Sequence, residues 1–259
     1  MSQVQGLERF STYFTEYKDR YTLIGGVACY LNLADADIDF RATKDLDIVL
    51  SAEALDAEFA QKFWDFVKEG GYQHQEKSTG KKQFYRFSKP ERADFPFMLE
   101  LFSKQPEAVF LKYDGNLTPI PIEDDVASLS AILLDEDYYQ CIKDGGIELE
   151  GLPVLTPAYL VPFKMRAFCD LSARKEKGEE IDSRNINKHK NDVLKISQVL
   201  SPTEHIPVVE VIKQHMREFI TKIKNEKINM KNLGLTGIEL ADVIDLWQEV
   251  YELNLEPEV

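Results

Sequence analysis

Residues 41–50, RATKDLDIVL, set Asp45 and Asp47 one residue apart and follow them at once with Ile48, Val49 and Leu50. Just upstream, residues 21–33, YTLIGGVACYLNL, form an apolar run interrupted by the adjacent glycines Gly25 and Gly26. The branched residues and the length of DLDIVL predict a buried strand. On a strand, residues i and i+2 point to the same face, with Cα atoms roughly 6–7 Å apart. Asp45 and Asp47 therefore present neighbouring carboxylates while Leu46 and Ile48 face the other way. Like charges so placed are unfavourable unless a proton or a cation intervenes. Oxygen-rich, histidine-free surroundings favour Mg²⁺ or Mn²⁺. The plainer alternative is a solvent-facing pair at a strand entrance.

YTLI is expected as a short strand, and GGVACYLNL as a glycine turn opening a helix. Glycines between a strand and a helix let backbone approach a ligand closely, and exposed N–H groups there can meet phosphate. An ordinary tight turn explains the same two residues. No Gly-Lys-Ser/Thr follows, so this is not a Walker loop, and the spacing is not GxGxxG. A third acid is sought on a later strand. Glu100, in FMLELFS (residues 97–103), is a charge inside an apolar segment, which is costly unless it is paired or lies at a cleft. Asp94 shares its parity, but Pro96 lies between them.

Outward from these motifs, the spacing predicts helices over Gln5–Lys18 and Ala52–Lys68, the second capped by Ser51. GGYQHQEKS and KQFYRFS predict two strands around a turn at Thr79–Lys81. Extended segments are expected at AVFLKY and LTPIPI, then a helix over Asp124–Cys141 and two short strands around Gly151. From Thr156 the texture changes. A helix opens at Pro157 and runs to Gly178, with Pro162 expected to bend it. Helices over Asn185–Leu200, Pro207–Lys224 and Gly237–Leu253 follow. The reading is an α+β chain: a mixed-sheet domain over residues 1–150, then a helical domain over 151–259.

A net charge of −14 over 259 residues argues against a protein that coats nucleic acid non-specifically, though not against a local basic cleft. Lys77, Lys81, Lys82 and Arg86, interleaved with Tyr72, Phe84 and Tyr85, could contact a nucleic-acid end; a solvated hairpin with cross-strand aromatic packing explains them equally well. No stretch is long and apolar enough to span a membrane, the N-terminus lacks a secretory pattern, and Cys29, Cys141 and Cys169 sit in apolar patterns without a CxxC pair. A cytoplasmic location is the expectation. The four histidines show no zinc-binding spacing.

The double glycine, the Asp-x-Asp strand and the later acid together resemble the nucleotidyltransferase superfamily. Within it the chain is most similar to the AbiEii-like toxin and minimal nucleotidyltransferase branch, over about Leu23 to Ile196. The matching positions are Gly25, Gly26, Arg41, Thr43, Asp45 and Asp47, with Glu100 as third acid and Lys164 in VPFKMRAF as the helical lysine. The late motif departs from the pattern, since Asn191 separates Lys190 from Asp192 in NKHKNDVLKI. The resemblance implies a Mg²⁺- or Mn²⁺-dependent enzyme moving a nucleoside monophosphate from an NTP to an acceptor hydroxyl. Asp45, Asp47 and Glu100 would hold metal, Gly25 and Gly26 would grip phosphates, and Arg41 and Thr43 would brace the loop. Lys164 would meet the triphosphate, with Lys190 and Asp192 beside it. It also implies a toxin acting on tRNA or protein, with an antitoxin partner. The alternatives are an enzyme that modifies a small antibiotic and a non-catalytic binding or regulatory domain.

Overall fold

The computed structural model describes residues 4–51, 57–78, 84–102, 118–120, 132 and 135–254. The chain divides into two compact units, one comprising Met1–Leu134 with Gly146–Thr156, the other Asp135–Gly145 with Pro157–Val259. The strands on either side of residue 150 thus belong together in the first unit, and a helix that precedes them belongs to the second.

The first unit is built on a mixed sheet of eight strands among the described residues: β1 (Tyr21–Ile24), β2 (Asp45–Leu50), β3 (His74–Ser78), β4 (Phe84–Ser88), β5 (Met98–Phe102), β6 (Thr118–Ile120), β7 (Gly146–Leu149) and β8 (Leu152–Leu155). Their order is β6-β3-β4-β5-β2-β1-β8-β7. Strand β2 lies inside the sheet, antiparallel to β1 and parallel to β5. That position buries Leu46, Ile48, Val49 and Leu50 while Asp45 and Asp47 stay partly exposed, the alternation expected of the pleat. β7 and β8 form a hairpin whose two turn residues, Glu150 (φ 49°) and Gly151 (φ 77°), are both left-handed. Two such residues match the strand twist in a two-residue hairpin. Of the extended segments AVFLKY and LTPIPI, only Thr118–Ile120 falls within the described residues.

Among the described residues, the sheet is accompanied by the α-helices α1 (Leu7–Tyr13), α2 (Gly25–Asp35) and α3 (Ala57–Gly70). The expected helix over Gln5–Lys18 divides, α1 giving way to a 3₁₀ segment at Thr15–Arg20. Thr15 Oγ1 donates to the carbonyls of Ser11 (2.9 Å) and Thr12 (3.1 Å), a side-chain alternative to the helical ladder. Phe10, Phe14, Phe59, Phe63, Phe66, Phe87 and Phe95 are fully buried, and Phe10, Phe14 and Phe66 meet ring to ring at 4.6–5.6 Å. In α2 the buried Asn32 donates to Ala28 O within the helix and to Leu155 O of β8. A buried amide needs such partners, and these tie the helix to the sheet.

The second unit is helical: α4 (Glu136–Asp144), α5 (Pro157–Glu176), α6 (Ser183–Ile196), α7 (Glu210–Ile223) and α8 (Leu240–Tyr251). Residues 124–131 and 133–134 of the helix expected over Asp124–Cys141 lie outside the described residues; α4 begins after Asp135, whose carboxylate accepts from the Asp137 and Tyr138 amides. Helix α7 starts three residues later than expected, because Val209 is extended (φ −67°, ψ 157°). Helix α5 continues through Pro162. A proline removes the N–H that would bond the carbonyl four residues earlier. Here that carbonyl, Ala158 O, accepts instead from the buried Tyr251 hydroxyl at 2.7 Å. Ser197 Oγ accepts from Trp247 Nε1 at 2.7 Å and donates to Val193 O, so α8 is also stitched to α6. No helix among the described residues is long and apolar enough to cross a membrane. All three cysteines are buried and unpaired with one another, and burial pushes the Cys141 and Cys169 thiols up to about 12.

The proline and the tyrosine are complementary, so Tyr251→Phe leaves a buried carbonyl without its donor. It is expected to destabilise the helical unit by about 1–3 kcal/mol, read as a lower urea midpoint with an unchanged slope.

Candidate active site

The acids of the first unit are brought together by strand register. In the parallel β2–β5 pair, Asp47 stands opposite Glu100 and Asp45 opposite Met98. Glu100 is not on an edge strand: β5 lies between β2 and β4, and the residue is 5% exposed. On its other side Arg86 of β4 faces it across the antiparallel pair. Arg86 Nε donates to Glu100 Oε1 at 2.8 Å, and Nη2 lies 2.7 Å from the same oxygen in an ion pair. Arg86 is 7% exposed, and Tyr72 and Tyr85 are buried too, so these three residues of the basic and aromatic segment are packed inside the unit. Asp94 is exposed and bonded to Arg92, away from any such set.

Burial, then the neighbouring charge of Asp47, raise the Glu100 carboxyl from 4.5 to about 8, and a hydrogen bond with Asp47 adds to the rise. The Arg86 ion pair pulls the other way and does not prevail. Desolvation of a group enclosed in the sheet outweighs one favourable charge when a second carboxylate presses from the opposite side. Glu100 therefore keeps its proton to a higher pH than an ordinary carboxyl does.

Gly25 sits against the same carboxylate. Its φ is +67°, and a Cβ there would lie 1.7 Å from Asp47 Oδ2. Gly26 N–H makes a long contact of 3.4 Å to that oxygen. A Cβ on Gly26 would lie 2.7 Å from Thr43 Oγ1 and 3.6 Å from Arg41 Nη2. Gly25, Gly26, Arg41, Thr43, Asp47 and Glu100 are therefore one cluster, with Asp45 one pleat along β2. The start of α2 adds a positive helix end with first-turn N–H groups, suited to anionic oxygen. Arg41 also lies over the Phe40 ring, 5.0 Å from its centre.

Lys164, Lys190 and Asp192 lie in the helical unit. Lys164 on α5 and Asp192 on α6 are 6% and 2% exposed and form an ion pair of 2.8 Å. Lys190 pairs instead with Glu226 and lies 6.0 Å from the centre of the Phe168 ring. Lys190 and Asp192, two positions apart on α6, have different partners, as positions that do not share a helix face require. The His215 ring accepts or donates a 3.0 Å hydrogen bond at Nδ1 with the Tyr138 hydroxyl. Burial, then Arg166, lower its pKa.

Among the described residues, no three or more His, Cys, Asp or Glu side chains form a ready metal cage. The Asp47–Glu100 pair nonetheless suits a hard divalent cation: the donors are oxygen, and neighbouring carboxylates repel unless a proton or a cation lies with them. Mg²⁺ commonly takes only one or two carboxylates and completes its shell with water and phosphate oxygens.

No family model matches the chain, and no curated protein matches it. Among solved structures it is similar to an antigenic nucleotidyltransferase-like protein from Paracoccidioides brasiliensis, with 13% identity and a TM-score of 0.40, over 93% of this chain and 99% of that one. It is also similar to the Megavirus polyadenylate synthase, with 14% identity and a TM-score of 0.38, over 85% of this chain and 36% of that one.

What the residue pattern alone missed is Arg86 as the buried partner of Glu100. The available signal was its place two residues after Phe84 in an alternating strand, facing inward with no apolar side chain to justify it.

Two outcomes follow from the cluster. Below pH 4.5 Glu100 is protonated in both folded and unfolded chains. Between 4.5 and about 8 the unfolded chain has released a proton that the folded chain keeps, so stability falls as pH rises through this window. Glu100→Gln is expected to flatten that part of a stability–pH curve measured by urea unfolding. Gly25→Ala combines a left-handed backbone with a direct clash and is expected to cost at least about 1–2 kcal/mol, seen as a lower unfolding midpoint.

Proposed function

We propose that the chain is a divalent-cation-dependent nucleotidyltransferase, moving a nucleoside monophosphate from an NTP to an acceptor hydroxyl. The observation that carries this reading is the parallel register that sets Asp47 beside Glu100 while the Gly25–Gly26 helix start closes on the same Asp47 carboxylate. Carboxylates that attract a cation and amides that attract phosphate are the two halves of a triphosphate site.

In this reading Asp45, Asp47 and Glu100 hold Mg²⁺ or Mn²⁺, which when bound neutralises phosphate charge and lowers the pKa of the acceptor hydroxyl. Gly25 and Gly26 offer backbone N–H groups to the phosphates, with Arg41 and Thr43 bracing that turn. The acceptor oxygen forms a bond to the α-phosphorus as the bond to the pyrophosphate oxygen breaks. The acceptor proton leaves to a carboxylate of the set. Positioning and charge neutralisation supply most of the acceleration in such transfers. The acceptor, whether tRNA, protein or small molecule, is to be found by incubating the chain with each labelled NTP and cell extract, and identifying the labelled molecule.

Asp45→Asn with Asp47→Asn is expected to lower NTP-dependent labelling by about 10²-fold or more, with thermal unfolding confirming an intact fold. Undiminished labelling by the doubly substituted chain overturns the assignment. Absence of Mg²⁺–NTP binding by calorimetry in the wild type identifies a non-catalytic domain instead.

A further inference from the structure

We propose that Met98 and Ser88 form a strip that binds the acceptor, receiving an uncharged, hydroxyl-bearing group and selecting which acceptor is used. The inference rests on the nucleotidyltransferase reading above and deepens it, by naming the side of the carboxylates from which the acceptor enters.

Register places the strip. Asp45 stands opposite Met98 in the parallel β2–β5 pair, Met98 opposite Ser88 in the antiparallel β5–β4 pair, and Ser88 opposite His74 on β3. Directly paired residues share a face of the sheet. The residues next to them in sequence, Leu46, Leu99 and Phe87, are fully buried on the other face, where Phe87 meets Phe63. The row from Asp45 to His74 therefore lies on the face of the acids, one pleat from the row of Asp47, Glu100 and Arg86. The two rows differ in access. Glu100 and Arg86 are buried, whereas Asp45 and Met98 are half-buried and His74 is exposed.

The side of approach follows from the chemistry. In an in-line displacement the entering and leaving oxygens lie on opposite sides of the phosphorus. The Gly25–Gly26 turn follows β1, which flanks β2 on the side away from β5. Pyrophosphate departing toward that turn requires the acceptor to come from the other side, over β5 and β4. Met98 and Ser88 carry the more open row across those two strands.

Their side chains suit the task. Met98 offers a flexible apolar surface that adapts to the shape of a ligand. Ser88 is 9% exposed, and its hydroxyl makes no hydrogen bond among the described residues. A hydroxyl kept so far from water without a partner is costly, and a polar group of the acceptor would supply the partner. No Lys or Arg stands among the four residues of the row, so it suits an uncharged group better than a phosphate. Neighbouring strands are about 4.8 Å apart. A group whose reacting hydroxyl lies at the acids thus reaches Ser88 across a span of roughly 10 Å.

The test separates nucleotide from acceptor. Nucleotide affinity is read by calorimetry with Mg²⁺ and the α,β-methylene analogue of the NTP that labels best. Use of the acceptor is read as NTP-dependent labelling across a dilution series of one cell extract. Ser88→Ala and Met98→Ala are each expected to raise the half-saturating extract concentration about tenfold, with analogue affinity held within about twofold. Thermal unfolding of Ser88→Ala is expected at an unchanged or higher midpoint, since no described residue bonds that hydroxyl; a purely structural serine would lower it. Unchanged half-saturation in Ser88→Ala overturns the inference, as does a loss of analogue affinity in step with labelling, and both leave the nucleotidyltransferase reading standing. A wild type that labels nothing with any NTP overturns both. Where Met98→Ala fails to fold, Ser88→Ala, which removes a single oxygen, decides the matter.

Discussion

The carboxyl groups of Asp47 and Glu100 stand opposite one another on adjacent parallel strands, and the first unit is arranged around the cost of keeping them there. Two acids inside a sheet repel each other and lose water at the same time. The molecule offsets this from two directions. A guanidinium closes the β4 side, and the positive end of α2 closes the other. Neither of these could be moved without exposing one carboxylate to the other.

Strand geometry does much of the positioning. Because β2 pairs with β5 in parallel and β5 with β4 antiparallel, Asp47, Glu100 and Arg86 fall in one row across three strands. A shift by one residue in either pair would turn a member of the row to the opposite face. The apolar neighbours Leu46, Ile48, Leu99 and Leu101, all buried, hold the register, since slipping would bring them out. The core thus determines where the charges meet.

Much of this was legible in the residues. The alternation in DLDIVL gave the face on which Asp45 and Asp47 stand, and the isolated charge in FMLELFS marked Glu100 as a residue with a partner. The change of texture at Thr156 and Pro157 marked the helix that opens there. Less was legible where a contact joins distant segments. Arg86 reads as one basic residue among several until the sheet order is known, because only adjacency of β4 and β5 gives it Glu100. The buried pair Lys164–Asp192 is invisible for the same reason: each residue sits in an amphipathic pattern that suits solvent as well as a partner 28 positions away. The division of the first helix turned on a local competition, Thr15 bonding backward to Ser11 and Thr12, that apolar spacing does not register.

The Tyr251 hydroxyl on Ala158 O has a bearing on how the molecule is made. A ribosome delivers α5, with the gap that Pro162 leaves in its ladder, some ninety residues before it delivers the side chain that fills the gap. Throughout that interval the nascent segment must rely on water or a transient neighbour at Ala158. Maturation of the helical portion is consequently a late event in synthesis, whereas the row of strands carrying Asp47 and Glu100 has left the tunnel well before.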